Sequence, residues 1–67
     1  MIKIKLNNKD KDIEENSSIS TLLELLGLNP ESNVTEVNLG IIKKDKRKDY
    51  ILKNGDTVEI ITFMGGG

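Results

Sequence analysis

Cysteine, histidine and tryptophan do not occur in this sequence, proline occurs once, and the aromatic residues are one Phe and one Tyr. Without cysteine there are no disulfides, no thiolate zinc site and no thiol nucleophile. Without histidine there are no Ser-His or Cys-His pairs, no His-ligated metal and no ordinary general base for neutral pH. The carboxylates stand singly among lysines, and no apolar pocket is evident that would raise the pKa of one of them. An enzyme acting alone is therefore not expected. Lys plus Arg and Asp plus Glu nearly balance, at a net charge of −1, which gives no electrostatic basis for binding DNA, RNA or an anionic membrane. No apolar run approaches the roughly 20 residues of a membrane span. Lys3 and Lys5 lie where the apolar region of a signal peptide would be. The expectation is a cytoplasmic protein with neither a nucleic-acid nor a membrane partner.

What is present suffices for one small domain. A chain of 67 residues buries only about 60% of its unfolded surface and has no room for a substrate cleft of ordinary size. Ile2, Ile4 and Leu6 alternate with Lys3 and Lys5, the period of a strand with one buried face. Asn7-Asn8-Lys9 is turn chemistry, and Asp10 to Glu14 reads as a charged return strand suited to a sheet edge. Asn16-Ser17-Ser18 supplies helix N-cap residues. Ile19, Leu22, Leu23 and Leu26 then fall on one helical stripe, stopped by Gly27 and Pro30. So short a helix must lie across the sheet to persist. Val34 to Leu39 reads as a third strand, Gly40 as a turn or bulge, and Ile41-Ile42 as the start of a fourth segment. Lys43 to Asp49 carries five basic residues in seven and reads as a solvated loop, with docking of an acidic partner as the alternative. It contains no aromatic platform for a nucleic acid. Lys53-Asn54-Gly55-Asp56 reads as a hairpin turn leading into a final strand from Thr57 to Met64.

Val58 and Ile60 share one face of that last strand, and Ile61 and Phe63 share the other. A strand covered by a helix on one side needs only one apolar face. Ile61, Phe63 and Met64 are therefore candidate partner-docking residues, unless loops cover them. Gly65-Gly66-Gly67 follows. Two readings stand: an arm that delivers its terminal carboxylate into another protein's active site, or a frayed or linker end. Glycine suits the first. It has no Cβ to block a narrow channel, and its achiral Cα cannot epimerise in an activated acyl group. Met64 to Gly67, if extended, would reach about 13 Å. The α-carboxylate of Gly67 is the one chemical group left to propose. It is a poor acyl donor until a leaving group is attached, commonly with ATP.

The order of these pieces resembles the ubiquitin-like ThiS/MoaD family of β-grasp sulfur carriers, most closely its ThiS-like members of thiamine (thiazole) biosynthesis. The most specific pieces are the run Leu52-Lys53-Asn54-Gly55-Asp56-Thr57-Val58-Glu59-Ile60-Ile61-Thr62-Phe63-Met64-Gly65-Gly66-Gly67 and the helix start Ser18-Ile19-Ser20-Thr21-Leu22-Leu23. MoaD-like carriers of the molybdopterin pathway are usually longer and often have prolines before the diglycine. Arg47 falls where many relatives carry an aromatic and Lys43 where many carry proline, so the fourth segment is expected to pack differently.

The resemblance implies an α+β β-grasp fold: a mixed sheet of about five short strands with one helix across one face and the first and last strands parallel. It implies one domain over residues 1–64 and a flexible tail over residues 65–67. It also implies that a ThiF-like, E1-like adenylyltransferase uses ATP to adenylate Gly67. A sulfur-donor protein then leaves a thiocarboxylate there, and a ThiG-like thiazole synthase takes the sulfur. On this reading the chain is a co-substrate with no catalytic residue, metal or bound cofactor, monomeric when free. Gly65, Gly66 and Gly67 enter the partner's site. The alternatives are a carrier for another pathway (molybdopterin, tRNA thiolation or cysteine synthesis), or a β-grasp binding module with an inert tail.

Overall fold

The computed structural model describes residues 1–63. The amphiphilic N-terminal stretch forms β1 (Ile2–Leu6), which pairs antiparallel with β2 (Lys9–Ile13). Asn7 and Asn8 both take positive φ, 47° and 70°, the backbone of a two-residue turn whose twist matches the strands it joins. Ile4 and Ile13 turn inward and are buried, while the charged residues of β2 line a sheet edge, where they discourage pairing with other chains.

α1 (Ile19–Leu26) begins and ends at the residues the sequence indicates. The Ser18 hydroxyl accepts a hydrogen bond from the Thr21 N–H at 3.1 Å, satisfying one of the free donors of the first turn. Gly27 takes φ 71° and donates its N–H to the Glu24 carbonyl, and Leu28 N–H reaches the Leu23 carbonyl. A side chain at Gly27 would strain that left-handed stop. Ile19, Leu22 and Leu23 are buried, with Leu26 packed beside them.

The last strand, β5 (Thr57–Thr62), lies at the centre of a sheet ordered β2-β1-β5-β3-β4, where β3 is Asn33–Val37 and β4 is Gly40–Ile41. It runs parallel to β1 and antiparallel to β3. The parallel pair requires a crossover, and the segment containing α1 provides it. Two asparagines grip β5 from either side. The Asn7 carboxamide exchanges two hydrogen bonds with the Ile60 backbone, and Asn38 accepts from Thr57 N–H at 3.0 Å. Val58 and Ile60 face α1 and join Ile4, Val37 and Leu52 in the core. This is the β-grasp arrangement.

Three expectations are corrected. The third strand stops at Val37 and does not run on to Leu39. Asn38 and Leu39 take φ 50° and 74° as a two-residue hairpin turn, and Gly40 begins β4. Leu39 is thus a turn tip, 88% exposed, with no side of a strand to occupy.

Asn54-Gly55 does turn the chain, with Gly55 at φ 90°, but it joins no hairpin. The residues before it belong to the start of α1: Ile51 bridges Ser18, Ile19 N–H reaches the Tyr50 carbonyl, and Leu52 N–H reaches the Ser17 carbonyl. The turn itself docks on β1, with Gly55 N–H donating to the Lys3 carbonyl and Asn54 Oδ1 accepting from Lys3 N–H.

The third correction is Arg47, which is no part of a solvated loop, being only 3% exposed. Its guanidinium donates to the Pro30 carbonyl at 2.8 Å and the Asn33 carbonyl at 2.9 Å, while its Nε has no partner among the described residues. A planar fork can reach two carbonyls at once, which a lysine ammonium on a flexible stem does less well. Arg47→Ala removes both charge-assisted bonds and leaves the carbonyls uncompensated, for an expected cost of about 2–4 kcal/mol. A urea midpoint unchanged from the parent chain would contradict this.

Candidate tail-root and docking surface

Alternation along β5 divides its side chains between two environments. Val58 and Ile60 are buried under α1, whereas Thr57, Glu59 and Ile61 point to the sheet face with no helix. Ile61 is 54% exposed, and Phe63, the next residue in the same alternation, is 53% exposed. Loops therefore leave about half of each side chain open.

The strand register adds neighbours that the linear sequence does not show. Val34 of β3 lies opposite Ile61, Glu36 lies opposite Glu59, and Ile41 of β4 lies opposite Glu36. Paired residues of neighbouring strands project from the same face. The open face thus carries Ile41, Val34, Ile61 and Phe63 around two carboxylates. Ile41 belongs here because of the Asn38-Leu39 turn. The signal that would have found it is a second Asn-initiated two-residue turn, of the kind Asn7-Asn8 makes.

The root of the tail is held firmly. Beyond β5, Phe63 N–H still donates to the Ser32 carbonyl at 2.9 Å. Ser32 closes a short 3-10 turn, Pro30–Ser32, capped by Asn29. The Asn33 amide donates to the Asn29 carbonyl, and its Oδ1 accepts from the Thr35 hydroxyl. Arg47 binds the same loop through Pro30 and Asn33. Asn33, Thr35 and Arg47 are all buried, so this polar cluster fixes the place where the chain leaves the sheet. Of the expected site residues, Ile61 and Phe63 lie together here. Met64, Gly65, Gly66 and Gly67 lie outside the described residues.

Among the described residues no group of three or more acidic, histidine or cysteine side chains could hold a metal ion, and no helix is long and apolar enough to cross a membrane.

Comparison with known proteins places this geometry. A crystal structure of the thiamine biosynthesis protein ThiS from Geobacter metallireducens superposes with a TM-score of 0.84 at 28% identity, covering 98% of this chain and 100% of that one. A solution structure of a thiamine biosynthesis protein from the same organism gives 0.81 at 28% identity, covering 98% and 88%. Two thiazole synthases are similar in sequence over 98% of this chain, one from Paramagnetospirillum magneticum at 29% identity and one from Magnetococcus marinus at 30%. The chain spans only 20% of the length of each. The model of the ThiS family matches residues 4–67, nearly the whole sequence from β1 through the last glycine. The chain belongs to the ThiS family.

Proposed function

We propose that this chain is the sulfur carrier for thiazole formation in thiamine biosynthesis. A ThiF-like enzyme attacks the α-phosphate of ATP with the Gly67 carboxylate, forming an acyl-adenylate and releasing pyrophosphate. A sulfur donor displaces AMP and leaves a thiocarboxylate. A ThiG-like synthase takes the sulfur, and the carboxylate returns. The β-grasp body supplies no acid or base and binds no cofactor. It presents Gly65, Gly66 and Gly67 on the rigid root at Ser32 and Phe63.

The observation that carries this reading is the family match, which runs through the glycine tail. The thiazole branch is favoured over molybdopterin or tRNA thiolation by the two thiazole synthases, in which a stretch similar to nearly all of this chain forms part of the protein. Pyrophosphate exchange into ATP, dependent on both this chain and a ThiF-like enzyme, tests the first step. No exchange above the enzyme-alone rate counts against the proposal.

Ile61 and Phe63, the exposed apolar residues at the end of the body that leads into the tail, are the proposed contact with the enzyme. Ile61→Ser together with Phe63→Ser is expected to weaken binding to the ThiF-like enzyme at least tenfold. Each side chain is already about half exposed, so stability should change by about 1 kcal/mol or less per site. Isothermal titration and a urea melt of the same variant check both halves. A large loss of stability with binding retained would make these residues core.

A further inference from the structure

Of the chain's asparagines, Asn54 alone precedes a glycine. An Asn-Gly pair is especially prone to spontaneous loss of the side-chain amide, because a residue with no Cβ leaves its backbone nitrogen unshielded. The Gly55 nitrogen attacks the carbonyl carbon of the Asn54 side chain. A C–N bond forms, the bond to the amide nitrogen breaks, and ammonia leaves with the proton that Gly55 gave up. Water then opens the cyclic imide at either carbonyl, giving aspartate or isoaspartate. No other reagent is consumed.

Asn54 and Gly55 are both exposed, so water reaches them, yet both reacting groups are tied to one residue of β1. Gly55 N–H donates to the Lys3 carbonyl at 2.8 Å, and Asn54 Oδ1 accepts from Lys3 N–H at 2.9 Å. The attacking nitrogen must give up its proton, which is bonded to the Lys3 carbonyl. The side chain must swing its carbonyl carbon onto that nitrogen, while Lys3 N–H holds its oxygen. Asp56 braces the turn further. Its carboxylate accepts from Lys53 N–H at 2.8 Å and from the Asn38 amide at 3.1 Å, and its carbonyl accepts from Lys5 N–H at 2.9 Å. At φ 90° a side chain at position 55 would be strained, so the turn that the fold requires is also the one that carries the reactive pair.

We propose that Asn54 is a deamidation site, kept closed by the pairing of Asn54 and Gly55 with Lys3 and opened when the turn leaves β1. This modification stands apart from the sulfur-carrier reading and needs no partner protein. Exposed turns open locally at lower cost than the core, so the site reacts without global unfolding. The two products differ in consequence. Aspartate keeps the main chain and still offers an oxygen to Lys3 N–H. Isoaspartate routes the main chain through the side-chain carbon and lengthens it, so the oxygen at position 54 and the Gly55 N–H no longer meet Lys3 together. The turn then cannot close again on β1. That closure continues the parallel ladder in which Lys5 is in register with Thr57 and Leu6 with Val58, so its loss weakens the junction of β1 and β5.

The test is the rate at which the full chain converts Asn54 in mildly alkaline buffer, native and in guanidinium chloride, at one pH and temperature. Intact mass shows the change from amide to acid, and peptide mapping locates it and separates aspartate from isoaspartate. The unfolded chain is expected to react first at Asn54, and the native chain to react there more slowly by a factor on the order of ten or more. That factor should match the hydrogen-exchange protection of the Gly55 N–H, because both reactions need the same bond to Lys3 broken. The purified isoaspartyl chain should melt below the parent, whereas Asn54→Asp should melt close to it. Equal rates in the native and unfolded chains overturn the protection, as does a native rate above the one that Gly55 exchange permits. Another asparagine reacting first in the unfolded chain overturns the site. An isoaspartyl chain that melts with the parent overturns the structural consequence.

Discussion

Removing Gly67 alone is expected to abolish ATP-dependent activation while leaving the fold intact. The two halves of this prediction rest on different parts of the molecule. The core is assembled from Ile4, Ile13, Ile19, Leu22, Leu23, Val37, Leu52, Val58 and Ile60, and among the described residues the last anchoring hydrogen bond runs from Phe63 N–H to the Ser32 carbonyl. These core residues all precede the tail, so the melting temperature should match that of the parent chain. The chemistry, by contrast, depends on the position of one carboxylate. A chain ending at Gly66 still ends in a carboxylate, but that carboxylate falls short by about 3.3 Å, the rise of one extended residue. A displacement of about 1 Å in a reacting group can already cost a factor on the order of 100 in rate. The shortened chain should give pyrophosphate exchange indistinguishable from the enzyme alone. Activation at the parent rate would remove Gly67 from its proposed role.

Leu22→Ala is expected to have the largest effect on stability. Leu22 lies on the helical stripe that closes the core and is almost fully buried. Truncation of a leucine in such a site costs about 2–5 kcal/mol. A domain of this size has a total stability of roughly 3–10 kcal/mol at about 0.05–0.15 kcal/mol per residue, so the variant should be partly or wholly unfolded at room temperature. Where a transition survives, each kcal/mol lowers the midpoint by about 4–8 °C. Leu25 on the same helix is 64% exposed, and Leu25→Ala should change stability by about 0.5 kcal/mol or less. Near-equal melting temperatures for the two variants would contradict the placement of α1.

How much of this was legible in the sequence depended on whether the determinant was local. The alternation of Ile2, Ile4 and Leu6, the Asn7-Asn8 turn and the helix bounded by Ser18 and Gly27 are specified by residues within a few positions of one another, and they form as read. Val37 and Leu39 look like one strand because both are apolar. Asn38 is the one local sign that the chain turns there, and Leu39 masks it, since leucine is a poor residue for the positive φ it takes. Asn54-Gly55 carries the usual hairpin signal, but the outcome is set by what Tyr50, Ile51 and Leu52 find: the backbone at the start of α1, more than 30 positions earlier. Arg47 stands among lysines that remain in solvent. Only the approach of the Pro30 and Asn33 carbonyls distinguishes it.

The site shows the same division. The outward alternation of Ile61 and Phe63 can be read along β5, and both are exposed as that alternation requires. Val34, Glu36 and Ile41 join them only through cross-strand register, which no single segment encodes. The like-charge pair at Glu36 and Glu59 is invisible until β3 and β5 are set side by side.

The central claim is that the Gly67 carboxylate becomes a thiocarboxylate. Its most direct test is the intact mass of the chain after incubation with a ThiF-like enzyme, ATP and a sulfur donor, in a mixture shown to convert another ThiS-family carrier. A mass increase equal to replacing one oxygen by sulfur is expected, located by fragmentation in the C-terminal glycine and absent when ATP is omitted. An unchanged mass, or an added sulfur located anywhere but Gly67, would contradict it.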